Sequence, residues 1–183
     1  MDPLTVRLAT LDDAEAIAGI HVDAWRYNYR DLIDDDTLAR RDFDSRLETW
    51  RRELELGAEV LVAVQQRAVV GWTCLGAFRH PPATRPDVRL ATQDWAEIHG
   101  LYIAPSFQRC GLGSRLLREA FCVLEAQCFR DVGLWVLSNN LPAIRFYEAY
   151  GFHDQCLDQD FEINGQPLVE KLLARSLGGR GDV

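Results

Sequence analysis

Apolar residues in this chain recur at helical spacing in some stretches and in alternating or unbroken runs in others, and the two patterns take turns along its length. Val6 to Leu8 reads as a short strand, and Thr10 with Asp13 three residues later suits a capped helix start. Ala14, Ile17, Ala18, His21 and Trp25 then mark one face of a helix reaching about Tyr27. Between Asp31 and Leu56 the apolar positions Leu32, Leu38, Phe43, Leu47, Trp50 and Leu54 predict a second helix or a broken pair. Val60 to Val64 and Ala68 to Phe78, separated by Gln65-Gln66-Arg67, predict an antiparallel hairpin. Prolines 81, 82 and 86 leave no regular element from Arg79 to Thr92.

Trp95, Glu97, His99, Leu101 and Ile103 alternate along a further strand, which Gly100 interrupts as a bulge would. Leu112, Leu116, Leu117, Ala120, Phe121, Leu124 and Cys128 form the strongest helical stripe of the chain. Val132 to Leu137 is a buried strand, and Asn140-Leu141-Pro142 opens a helix that Gly151 closes. Phe152 to Leu157 and Leu168 to Ala174 end the pattern, joined through the turn Asn164-Gly165.

At 183 residues the chain is expected to be one domain over residues 1–175, with a disordered tail over 176–183. Hydrophobic residues make up 48% and charged residues 26%, the balance of a protein that buries a core. A net charge of -8 disfavours DNA, RNA and anionic membranes as partners. The N-terminus lacks a basic segment followed by an apolar one, and the expected compartment is the cytoplasm. Five cysteines without C-x-x-C spacing are expected as free thiols, and no metal site is expected.

The chemistry concentrates after the Gly100 strand. Gln108-Arg109-Cys110-Gly111-Leu112-Gly113-Ser114 opens the strongest helix, where free backbone N–H groups and the helix dipole favour a phosphate. It is not a Walker loop, because no lysine follows the second glycine, nor a Rossmann fingerprint, because Leu116 stands where the third glycine would. Taken alone, the loop has a second reading, a glycine-rich helix start that binds nothing.

Gln108-x-x-Gly111-x-Gly113, followed by Asn140-x-x-Ala143-x-x-Phe146-Tyr147-x-x-x-Gly151-Phe152, closely resembles the GCN5-related N-acetyltransferase (GNAT) superfamily. His21-x-x-x-Trp25-Arg26 on the first helix is similar to a group of its bacterial members. The resemblance implies a mixed, mostly antiparallel seven-stranded sheet with a bulged central strand, flanked by about four helices. It implies acetyl transfer from acetyl-CoA to a primary amine, on a small molecule or a peptide, by direct attack in a ternary complex. A homodimer is the expectation that goes with it. An acyl-CoA sensor without catalysis on the same fold is the alternative.

The resemblance also assigns roles. Backbone groups of Leu101, Tyr102 and Ile103 would hold the pantetheine arm, and the loop Gln108, Arg109, Cys110, Gly111, Leu112, Gly113 and Ser114 would hold the pyrophosphate. Asn140 would bond pantetheine, and Tyr147 would contact the cofactor and protonate the departing thiolate. Tyr147 could instead be an amphipathic core tyrosine. Glu97 would accept the ammonium proton, or else be a sheet carboxylate paired with an arginine. His21, Trp25 and His99 are placed at the acceptor side, with packing as the other explanation for the first two and a buried, hydrogen-bonded ring for His99. The cluster Asp31, Asp34, Asp35 and Asp36 would attract a cationic amine or simply be solvated.

Overall fold

A computed structural model describes residues 4–40, 42–79, 94–163 and 165–178. The first half runs β1 (Thr5–Leu8), α1 (Ala14–Tyr29), α2 (Asp35–Ala39), α3 (Phe43–Glu55), β2 (Glu59–Gln65) and β3 (Ala68–Ala77). The second runs β4 (Trp95–Ile103), α4 (Leu112–Ala126), β5 (Asp131–Leu137), α5 (Leu141–Glu148), β6 (His153–Ile163) and β7 (Gln166–Ser176). The seven strands form one sheet in the order β1-β2-β3-β4-β5-β7-β6. The β4–β5 pair is parallel, while β1–β2, β2–β3, β5–β7 and β6–β7 are antiparallel. This is the mixed, mostly antiparallel architecture that the motifs implied.

The described residues hold five α-helices rather than four, because the stretch after Asp31 breaks into a pair. Two aspartates cause the break. Asp34 accepts from Thr37 N at 2.8 Å and Asp42 accepts from Ser45 N at 3.0 Å, so each starts its own helix. Asp34 therefore serves as a cap, and Asp35 and Asp36 fill the first turn of α2.

The chain forms two compact units, Met1–Leu75 with Gly100–Ala120, and Gly76–His99 with Phe121–Val183. In the first, α1 and α3 cover β2 and β3. Ala14, Ile17, Ala18 and Ile20 of α1 and Trp50 of α3 pack with Val60, Val62, Trp72 and Cys74 of the strands. Leu116 and Leu117 of α4 are fully buried, each contributing about 1.5–3 kcal/mol by leaving water. The β2–β3 turn places Gln66 and Arg67 at φ 51° and 65°, the left-handed pair that a two-residue hairpin needs.

In the second unit, Phe78, Leu157 and Leu172 form a core flanked by Trp95 and Trp135. Gly133 leaves room for Phe78, whose Cε2 would lie 2.8 Å from a Cβ added there. Past α5, Gly151 turns left-handed at φ 79°, and Phe152 N reaches back to Tyr147 O at 3.2 Å. The β6–β7 hairpin is longer than its apolar pattern, and its register shifts between Asp154 and Asp158, with Cys156 at φ 54°. The expected tail began at Ser176, yet Ser176 closes β7 opposite Asp131 and Leu177 is buried. Residues 179–183, Asn164 and residues 80–93 of the proline-rich loop lie outside the described residues.

Candidate functional site

The loop before α4 is built from the end of β4 onward. After Ile103 a short 3-10 turn, Pro105–Phe107, leads to Gln108, whose Nε2 donates to Ile103 O at 3.2 Å and to Asn28 Oδ1 at 3.0 Å. The Gln108 side chain thus pins the loop. Arg109 and Gly111 both stand in the left-handed region, at φ 60° and 81°. A Cβ on Gly111 would meet nothing within 4 Å, so the peptide there borders open space. Arg115 N makes the first helical bond to Gly111 O at 3.1 Å. The amides of Leu112, Gly113 and Ser114 are therefore the first turn of α4, which has no carbonyls of its own to serve them. Among the described residues, the exposed Arg109 guanidinium makes no hydrogen bond or ion pair, whereas Arg115 is paired with Glu119 at 2.9 Å. Cys110 Sγ turns back to Gln108 O at 3.4 Å.

These features fit a pyrophosphate. Uncommitted N–H groups, the positive end of a helix, an exposed guanidinium and a glycine with open space beside it are the features a doubly charged diester would need. Leu101, Tyr102 and Ile103 lie directly upstream on β4, whose parallel pairing with β5 covers only Trp95↔Asp131, Ala96↔Val132 and Glu97↔Gly133.

In the same unit His21 and Tyr102 meet, with ring centroids 5.0 Å apart. His21 also stands edge-on to Trp72 at 5.3 Å and accepts from Trp50 Nε1 at 3.1 Å. Trp25 is buried on the same helix and stacks with Tyr29 at 4.4 Å. Both residues are thus packed.

In the second unit β4 buries three residues in succession, Ala96, Glu97 and Ile98, so the alternation breaks just before Gly100. Glu97 is 1% exposed. Its Oε2 accepts from Arg79 N at 2.8 Å, and its Oε1 accepts from Arg79 Nε at 3.1 Å and from Arg79 Nη2. This is the geometry of a sheet carboxylate paired with an arginine. His99 is exposed rather than buried, with a ring nitrogen 3.4 Å from Ala77 O, and its ring lies over Gly76, where an added Cβ would come within 2.7 Å of Cε1.

Asn140 is buried and caps α5, its Oδ1 accepting from Ala143 N at 3.2 Å. Tyr147 is half-buried, its ring in edge contact with those of Phe146 at 5.2 Å and Phe152 at 5.6 Å.

Two residues of this unit escaped the sequence reading. Arg79 sits at the edge of the proline-rich stretch, where no periodicity marks it. Glu170 lies on β7, where its Oε2 accepts from Gln159 Nε2 at 3.0 Å. Burial pushes its carboxyl above the ordinary glutamate value, and Glu97's charge pushes the same way, while Gln159 and Arg79 pull it back. A signal was present: Leu168, Glu170, Leu172 and Ala174 share one face by alternation, and a carboxylate on that apolar face is conspicuous. Among the described residues no group of three His, Cys, Asp or Glu side chains could hold a metal ion, and no helix is long and apolar enough to cross a membrane.

Comparison with known proteins places this arrangement in context. The family model described as "Acetyltransferase (GNAT) family" matches residues 16–152. The chain is 30% identical over 168 residues to the uncharacterised N-acetyltransferase YuaI of Bacillus subtilis, covering 91% of this chain and 90% of that protein. It is 29% identical to the L-methionine sulfoximine/L-methionine sulfone acetyltransferase of Salmonella typhimurium, covering 81% of this chain and 80% of that protein. Among solved structures it resembles yncA, a putative acetyltransferase from Salmonella typhimurium solved with acetyl-CoA. That likeness has a TM-score of 0.67 and 23% identity, over 100% of this chain and 98% of that chain.

Proposed function

Because the chain belongs to the GNAT acetyltransferase family, and is by that membership an N-acetyltransferase, we propose that it transfers an acetyl group from acetyl-CoA to a primary amine. The observation that carries the donor half is the loop at Arg109 to Ser114, with left-handed Arg109 and Gly111 ahead of the unserved first turn of α4. Leu112, Gly113 and Ser114 would offer backbone N–H groups to the pyrophosphate, with the Arg109 guanidinium adding a charge-assisted contact. Backbone groups of Leu101, Tyr102 and Ile103 would line the pantetheine arm. Acetyl-CoA supplies the activated thioester; the protein supplies orientation, a fixed dipole at the carbonyl and routes for protons.

Tyr147 is the acid in this reading. A phenol matches the basicity of a departing thiolate, and the contacts with Phe146 and Phe152 hold its ring. Asn140 fixes the start of the helix that carries it. Glu97 keeps both oxygens on Arg79, so its part is to hold that arginine, and through it the chain leaving β3.

The acceptor is a primary amine. The Salmonella relative that acts on methionine sulfoximine and methionine sulfone makes free α-amino acids of that kind the first acceptors to test. Tyr147→Phe keeps the ring contacts and removes only the hydroxyl. Turnover of the best acceptor should fall by about 10²-fold or more while acetyl-CoA affinity stays within twofold, measured by thiol release and calorimetry. Unchanged turnover would remove Tyr147 from the mechanism.

A further inference from the structure

An acceptor amine is an ammonium ion in water, and it must lose a proton before its lone pair can attack a carbonyl. The carboxylate that the motif nominates, Glu97, is committed. Arg79 donates to it from its backbone N, Nε and Nη2, so a proton arriving on either oxygen would displace a charge-assisted bond.

A second carboxylate faces the same way. Glu97 lies opposite Gly133 of β5, and Glu170 of β7 lies opposite Leu137 of β5. Gly133 and Leu137 are four residues apart on one strand, so they point to the same face. Glu97 and Glu170 therefore share a face of the sheet, along with Leu172 and Trp135, which pair directly between them. Phe78 lies over Gly133 on this face and packs against Leu172. Glu170 is only partly exposed. One of its oxygens accepts from Gln159 Nε2, and among the described residues the other, Oε1, has no hydrogen-bond partner. The charged neighbours that act on it are Glu97 and Arg79. Lys171, next along the strand, points to the opposite face and is engaged with Asp154.

We propose that Glu170, through Oε1, is the group that takes the proton from the acceptor ammonium, and that Arg79 and Glu97 form a fixed ion pair that shapes its surroundings. The inference rests on the acetyltransferase reading. The step breaks one N–H bond of the ammonium and forms one O–H bond on Glu170. The neutral amine is left to attack, and the proton passes to solvent when product leaves. Burial against Leu172 and the nearby Glu97 charge both favour the protonated form, which suits a base working on an amine better than an ordinary surface carboxylate would.

The test uses the full chain and three readouts. Carbon-detected NMR of the free wild-type protein should show Glu170 titrating above the ordinary glutamate range, with its midpoint moving down in Glu97→Gln as the neighbouring charge is removed. Glu170→Gln should lower kcat/KM for the amine by about 10²-fold or more and abolish the acidic limb of its pH profile. Calorimetry should show acetyl-CoA affinity within twofold of wild type, which also establishes that the variant is folded. Glu170 titrating at or below the ordinary value, or Glu170→Gln retaining both rate and acidic limb, would overturn the proposal. Failure of the wild-type chain to bind acetyl-CoA would instead defeat the acetyltransferase reading, and the NMR titration would still report on Glu170.

Discussion

Trp50 Nε1 donates to His21 Nδ1 at 3.1 Å, tying α3 to α1 through two aromatic rings. Because Nδ1 is the acceptor, the neutral imidazole carries its proton at Nε2. Trp50→Phe removes the donor and some packed volume from a side chain that is 7% exposed. It should cost about 1–2 kcal/mol of stability, read as a lower midpoint in urea unfolding at unchanged slope. A midpoint equal to wild type would mean the bond contributes nothing.

Asp13 ties the start of α1 to β1. Arg7 donates to both its oxygens, at 2.7 and 2.8 Å, and Thr10 N donates at 2.7 Å. The bond from Arg7, aided by that from Thr10, holds the carboxyl down at about 2 against the opposing effect of burial. A folded-state value below the unfolded one means the carboxylate stabilises the fold above the unfolded pKa and loses that contribution as pH falls through the folded one. The window therefore runs from about pH 4 down to about pH 2. Since Arg7 is half exposed, the contribution is on the order of 1 kcal/mol. Unfolding free energy measured across that window should fall less steeply in Asp13→Asn than in wild type. Parallel curves would dissociate this pair from acid stability.

At Gly111, strain and charge can be separated. The residue has φ 81°, and an added Cβ would meet nothing within 4 Å. Gly111→Ala should lose about 1–2 kcal/mol of stability for the left-handed backbone, and still bind acetyl-CoA within a few-fold. Gly111→Asp tolerates that backbone at least as well but adds a carboxylate beside the uncommitted amides, so its affinity should fall by at least tenfold in calorimetry. Equal affinities for the two variants would place the pyrophosphate elsewhere.

Local signals were legible in the sequence where cause and effect lie within a few residues. The Asn140 cap, the stripe of α4 and the β2–β3 hairpin each depend on neighbours in the chain. The Asp34 and Asp42 caps were equally local, and noticing them would have resolved the broken helix pair in advance. What the sequence withheld were partnerships set by strand register and distant side chains. Arg79 reaches Glu97 across 18 positions, and Glu170 shares a face with Glu97 only because β5 stands between them. Packing of His21 and burial of Trp25 were predictable from their helical spacing, but the tryptophans that meet His21 come from α3 and β3.

The amide of Gln108 spans 80 positions of sequence to reach Asn28 while also holding Ile103 O. A loop that depends on a residue of another helix does not drift independently of it. If α1 lines the acceptor side, a lineage that remodels this helix for a new amine must leave position 28 alone or find another anchor for the phosphate cradle. Donor binding and acceptor choice would then be inherited together, even though they are written far apart in the gene.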